Sequence, residues 1–164
     1  MIEIRTPITD EQISNLSVGD EVVITGEIFT ARDKAHMRAL KDKMPFDTEG
    51  LAAYHCGPVV RKKRQRYDIV AAGPTTSSRM NKMEREFIEK TGVKAIIGKG
   101  GMDEEATKTL KEHNSVYLAF TGGASQLAAK GIKKVKNVYW PDLGVPEAIW
   151  HLEVERFGPM IVAI

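Results

Sequence analysis

The sequence predicts an α/β chain: a mixed sheet with parallel strand–helix–strand crossovers in its second half. Three observations carry this. Short apolar runs stop at glycine or proline, as Tyr67 to Ala72 does before Gly73-Pro74. Polar stretches with apolar residues at helical spacing separate those runs, most clearly Met80, Met83, Phe87 and Ile88. From Tyr67 to Phe120 the two kinds of segment alternate as strand, helix, strand, helix, strand, the order that parallel neighbours require. A chain of 164 residues is long enough for one domain with its own core, so residues 1–164 are read as a single domain.

Taken in order, Glu21 to Gly26 reads as a strand closed by its glycine, and Ala31 to Met44, rich in Ala, Lys, Arg, Met and Leu, as a helix. Leu51 to Val60 is strand-like but interrupted by Gly57-Pro58. After the Tyr67–Ala72 strand, Arg79 to Thr91 is helical, with Gly92 suited to the left-handed residue that ends a helix. Val93 to Ile97 is a buried type of strand running into the turn Gly98-Lys99-Gly100-Gly101. Asp103 to His113 is a helix with Asp103 at its N-cap and acidic residues in its first turn. Val116 to Phe120 is a strand, and Gly122-Gly123 precedes a short helix, Ala124 to Lys130. Lys134 to Trp140, His151 to Phe157 and Met160 to Ile164 are further strands that would form a second sheet or a barrel-like layer.

Composition removes several function classes. The 24 basic and 22 acidic residues leave a formal net charge of +2, which does not point to nucleic acid or to a membrane surface. No apolar run has the length of a membrane span, and the N-terminus lacks the layout of a signal peptide, so a cytoplasmic location is expected. Cys56 is the one cysteine. It excludes an internal disulfide framework and a multi-thiolate zinc site, and it cannot by itself hold an iron–sulfur cluster.

Ligands of open α/β sheets sit at the carboxyl ends of strands, which selects particular segments. Gly73-Pro74-Thr75-Thr76-Ser77-Ser78-Arg79 joins a tight turn, four hydroxyls and an arginine at a helix start. One hydroxyl suffices for an N-cap, so the surplus favours an anion site. Lys99 lies in the next strand-end turn, which lacks P-loop spacing; alone it is a solvated lysine, and beside the previous segment a second anchor. Arg32 opens the Ala31–Met44 helix, either solvated with Thr30 as cap or bound bidentately to a carboxylate. His36, one turn on, reads as structural. The basic run Arg61 to Arg66 fits a solvated or partner-facing hairpin better than an RNA site. Thr121 to Ser125 is an anion turn or a packing glycine pair. His55 and Cys56 point to opposite faces of a strand, which argues against a Cys–His catalytic pair.

Several of these segments resemble the β domain of the class I fumarase and L-tartrate dehydratase family. Thr30-Ala31-Arg32-Asp33-Lys34-Ala35-His36 is similar to that family's TARD-x-AH segment, and Tyr54 to Val59 to its tyrosine and Gly-Pro segment. Ala72 to Met80 matches AGPTTSxRM, and Gly98 to Met102 matches GKGGM. Gly122-Gly123-Ala124, Trp140 to Gly144 and Glu147-Ala148 also match, so the likeness runs from about Gly19 to Ile164.

The resemblance implies a swivelling β/β/α domain and the β subunit of a hydro-lyase that reversibly dehydrates a hydroxy-dicarboxylate, such as malate to fumarate. It implies that Arg32, Arg79 and Lys99 engage substrate carboxylates and that Thr75, Arg79 and Lys99 take part in catalysis, Thr75 as a candidate base. The 4Fe–4S cluster would be held by three cysteines of a separate α subunit, not by this chain. L-tartrate dehydration is the nearest alternative, and a non-catalytic dicarboxylate-binding module the next. A bare partner surface would permit homo-oligomers of the isolated chain.

Overall fold

The computed structural model describes residues 1–120 and 125–164. In chain order it forms β1 (Ile2–Arg5), α1 (Asp10–Ser14), β2 (Glu21–Thr30), α2 (Asp33–Lys41), β3 (Ala52–Tyr54), β4 (Val59–Lys63) and β5 (Arg66–Ala71). A 3-10 turn at Ser77–Met80 leads into α3 (Asn81–Thr91), followed by β6 (Ala95–Gly98), α4 (Glu104–Glu112), β7 (Val116–Ala119), α5 (Ser125–Lys130), β8 (Ile132–Tyr139) and β9 (Ile149–Val162). The Thr121–Ser125 turn and the Gly122-Gly123 pair fall almost wholly outside the described residues.

Strands β1, β2, β3, β6 and β7 are parallel neighbours in that order. The antiparallel β9 pairs with β7 on one side and with β2 on the other, closing β2-β3-β6-β7-β9 into a barrel-like ring. The period-2 alternation of side chains explains how this sheet is covered on both faces. Ile28, Ala52, Tyr54, Ala95, Ile97, Val116 and Leu118 turn one way and join Leu152 and Phe157 in one core. Phe29, Ala53, Ile96 and Tyr117 turn the other way, onto Ala35 and Ala39 of α2, Phe87 and Ile88 of α3, and Leu110 of α4.

The mixed α/β class holds, with corrections. Parallel pairing begins at β1 and is not confined to the second half. The Tyr67–Ala72 segment does not start a parallel unit: as β5 it folds back antiparallel on β4 in a separate two-stranded sheet. Arg64, at φ 49, makes the tight turn between them. The first crossover to β6 therefore starts from β3, and only β6-α4-β7 matches the predicted pattern. Gly26 does not close β2. The strand continues to Thr30, and Gly26 is required because a Cβ there would overlap Thr6 Oγ1 at a backbone φ of +126°.

The two strands predicted at His151–Phe157 and Met160–Ile164 are one, β9. Register shifts against β2 absorb Gly158-Pro159 as a bulge. The helix expected from Ala31 to Met44 is shorter, and Thr30 does not cap it. Thr30 Oγ1 instead accepts from Trp150 N at 3.0 Å. Locally encoded features stand as expected: Gly92 ends α3 at φ 69, and the Asp103 side chain accepts from Ala106 N at 2.8 Å. No helix among the described residues is long and apolar enough to cross a membrane.

Candidate active site

The order β2-β3-β6 brings three carboxyl strand ends together. Arg32 follows β2 after Ala31, whose N–H donates to Tyr54 O at 2.9 Å and carries the ladder one residue further. His55 follows β3 and donates its N–H to Ile97 O at 2.7 Å. Lys99 follows β6.

Thr75 reaches the same place by a different route. Leaving β5, the chain lays Pro74–Ser77 between the extensions of β3 and β6. Thr75 N–H donates to His55 O at 2.6 Å, Lys99 N–H to Thr75 O at 3.3 Å, and Ser77 N–H to Lys99 O at 3.0 Å. The 3-10 turn then turns Arg79 toward the start of α2, where its Nη2 lies 2.9 Å from Asp33 Oδ2. Arg32 Nε lies 3.2 Å from Glu147 Oε2, and the other Glu147 oxygen accepts from Lys34 N at 3.0 Å. The structure thus gathers Arg32, Thr75, Arg79 and Lys99 around one group of strand ends, with Arg79 and Lys99 exposed and Thr75 half-buried.

Gly57 supplies space for this arrangement. A Cβ there would lie 2.5 Å from Arg32 Nη1 and 2.9 Å from its Cδ. The capping alternative for the Thr75–Ser78 hydroxyls is not borne out: Thr76, at the N-cap of the 3-10 turn, makes no side-chain cap bond. Ser77 is fully buried and turns inward, its Oγ 2.8 Å from His55 Nδ1 and 2.9 Å from the Tyr117 hydroxyl.

That inward hydroxyl belongs to a buried polar cluster that sequence reasoning missed. His36, His55 and Glu84 are fully buried, and Glu84 Oε1 lies 3.1 Å from His36 Nε2 and 2.8 Å from His55 Nε2. The first contact is a hydrogen bond; in the second the atoms are close but misaligned, so His55 Nε2 and Glu84 Oε2 are buried without one. Burial pushes the Glu84 carboxyl up, but His36 and His55 outweigh it and hold the carboxyl down at about 2. Burial lowers His55 more than the Glu84 carboxylate raises it, favouring the neutral ring. A signal for Glu84 was present in the sequence. It falls one turn after Met80 and one turn before Phe87 and Ile88, on the apolar face of α3.

Cys56 is buried, and burial pushes its thiol up to about 12 against the opposing pull of the Arg32 charge. The residues of this chain do not fit an iron–sulfur cluster: its one thiol is buried and held protonated. The basic run occupies the β4–β5 hairpin, exposed, with Lys63 3.2 Å from Asp68. A groove lined by Lys43, Met44, Phe46 and Lys90 lies at the opposite, amino end of β3 and β6 and holds none of the candidate residues.

The sequence that builds this ring has counterparts among known proteins. A family model described as Fumarase C-terminus matches residues 1–164. "Putative L(+)-tartrate dehydratase subunit beta" of Methanocaldococcus jannaschii is 47% identical over 163 residues, covering 96% of this chain and 84% of that protein. "L(+)-tartrate dehydratase subunit beta" of Escherichia coli K12 is 42% identical, covering 98% and 81%. "Putative fumarate hydratase class I" of Geobacillus stearothermophilus is 43% identical over 162 residues, which is 98% of this chain but 32% of that longer protein. The class is therefore a hydro-lyase chain. The chain belongs to the Fumarase C-terminus family, as a member of its β-subunit type.

Proposed function

We propose that this chain is the β subunit of an enzyme that reversibly dehydrates a hydroxy-dicarboxylate, malate to fumarate, together with a separate α subunit. The observation that carries the reading is the convergence of Arg32, Arg79, Lys99 and Thr75 at the ends of β2 and β6 and on the segment laced between β3 and β6. Arg32 and Arg79 each present a planar fork suited to a carboxylate. Each is already paired to a side-chain carboxylate, Glu147 or Asp33. The Arg79–Asp33 pair is exposed enough to be worth about 0–1 kcal/mol, so a substrate carboxylate can displace it; the Arg32–Glu147 pair is more buried and leaves the terminal nitrogens of Arg32 for a substrate.

In such a dehydration the proton removed lies next to a carboxylate, and negative charge builds on that carboxylate in the transition state. Fixed cations stabilise it there more than in the ground state. Thr75 is the residue we assign to the proton. A hydroxyl gives up its own proton reluctantly, so the nearby positive charge of Lys99 and Arg79 is what would make it serve. Expulsion of the hydroxyl group is assigned to the α subunit, which in this reading holds the 4Fe–4S cluster. The swivelling implied by the family resemblance would bring these strand ends against that partner.

A second reading, dehydration of L-tartrate, is favoured by the names of the relatives at 47% and 42% identity. The test is anaerobic co-expression with an α subunit, followed by assays of fumarate hydration and of malate and L-tartrate dehydration. Activity on one diacid selects between the readings. Tight dicarboxylate binding by this chain, with no activity beside any α partner, would replace both with a binding module.

A further inference from the structure

The cations at the strand ends are held from behind, by groups that touch no solvent. His36 Nδ1 lies 2.8 Å from the carbonyl of Arg32, so His36 grips the segment that carries the first arginine. His55 accepts Thr75 N–H on its carbonyl and meets Ser77 Oγ with its ring. Ser77 N–H in turn donates to Lys99 O, and the Tyr117 hydroxyl, beside Ser77 Oγ, lies 2.8 Å from the carbonyl of Gly100. These inward contacts run to His36 or His55, and both rings meet one oxygen of Glu84.

We infer that Glu84, through His36 and His55, is a positioning residue that holds the segments bearing Arg32, Thr75 and Lys99 in mutual register. The catalytic meaning of this rests on the hydro-lyase reading; the lock itself does not. A buried carboxylate between two rings is a costly way to fill a core, since apolar residues of like volume are commonly as stable or more so. It does something an apolar core cannot, setting one charged oxygen against rings from two other chain segments, His36 by a hydrogen bond and His55 by a close polar contact. Space is set aside for it: a Cβ on Gly98 would overlap Ser77 Oγ, and Phe87 stacks on His36 with ring centroids 4.0 Å apart.

The test compares Glu84→Gln, which keeps the shape and removes the charge, with Ser77→Ala, which removes the hydroxyl shared by His55 and Tyr117 and leaves the His36 branch in place. Amide hydrogen exchange on the isolated chain reads the lock. Glu84→Gln should speed exchange at Thr75, Ser77 and Lys99 about tenfold or more while β8–β9 amides keep their protection. Ser77→Ala should speed Thr75 and Lys99 and leave His36 unchanged. In the complex with an α subunit, both variants should lose more in kcat than they change KM. Exchange that is unchanged, or that rises equally in β8–β9, overturns the lock in favour of a merely stabilising core. Stoichiometric zinc or iron bound by the three side chains would also overturn it, making the cluster a metal centre. If the wild-type complex dehydrates no hydroxy-dicarboxylate, the functional reading fails, and the exchange data still decide the lock.

Discussion

Arg79 and Asp33 meet at 2.9 Å across elements far apart in sequence, and Asp33 is the residue immediately after Arg32. One carboxylate thus ties the Arg79 guanidinium to the chain segment that carries Arg32. Removing Arg79 deletes the cation proposed to meet a substrate carboxylate without touching the core, since it is exposed. Arg79→Ala should leave folding and assembly with the α subunit intact and lower kcat/KM by about 10²–10³. Near-normal turnover in the assembled complex would end its assignment to the substrate carboxylate.

Arg32→Lys keeps the charge and discards the fork. A compact ammonium cannot make two parallel bonds to a carboxylate. An at least tenfold rise in KM is expected, about 1.4 kcal/mol. Equal kinetics for Lys and Arg at this position would mean that only charge matters there.

Gly57→Ala tests the space behind Arg32. The added methyl meets the flexible end of Arg32 more closely than any other group, with Pro146 Cβ next at 3.0 Å. The guanidinium should be displaced at little cost to the fold. Thermal melting within a few degrees of wild type is expected, together with about tenfold weaker dicarboxylate binding by calorimetry. A large fall in melting temperature would show instead that the backbone has yielded.

Acid sensitivity should trace back to the buried cluster. Glu84 is depressed from 4.5 to about 2, so its contribution is present above 4.5 and is lost as pH falls toward 2. His55 is lowered from 6.5, so its neutral form favours the fold above 6.5, and that advantage drains away as pH falls. Both effects have the same sign. Urea midpoints should drop from about pH 6.5 downward and more steeply below 4.5. Glu84→Gln should remove up to about 3 kcal/mol of the lower part of that dependence. Parallel pH profiles for the two proteins would show that Glu84 is not the group responsible.

The chain alone should take up no iron–sulfur cluster. Cys56 is fully buried with its thiol held protonated, so anaerobic reconstitution with iron and sulfide should leave iron at background by metal analysis. The same thiol should resist alkylation in the folded chain and react once urea is added.

What the sequence disclosed divides along the reach of the interactions. Asp103 and Gly92 were legible because a cap and a left-handed terminus are decided within a turn of chain. Arg32 and Lys99 were legible as strand-end residues, and Thr75 and Arg79 as parts of a recognisable motif whose route into the site was not. Gly26 was misread because its purpose is the distant Thr6 packed against it. The direction of β5 was misread because a hairpin and a crossover strand look alike until their partners are known. Glu84 was overlooked among the acidic residues of α3, though its helical phase put it on the buried face. Polar character is ordinarily the argument for exposure, and here a pair of distant histidines reverses it.

The segment Pro74–Ser77 is held by Thr75 and Ser77 amides and by the carbonyls of His55, Thr75 and Lys99, groups that nearly every amino acid possesses. Apart from the buried Ser77 hydroxyl, its address in the molecule is therefore written in backbone atoms that mutation seldom alters. The side chain displayed at position 75 is free to vary without moving the platform that displays it. Such a scaffold is evolvable: a change of one hydroxyl-bearing residue can be tried against a new diacid while its neighbours stay where they were. A selection that randomises this position alone would sample new chemistry on an unchanged frame.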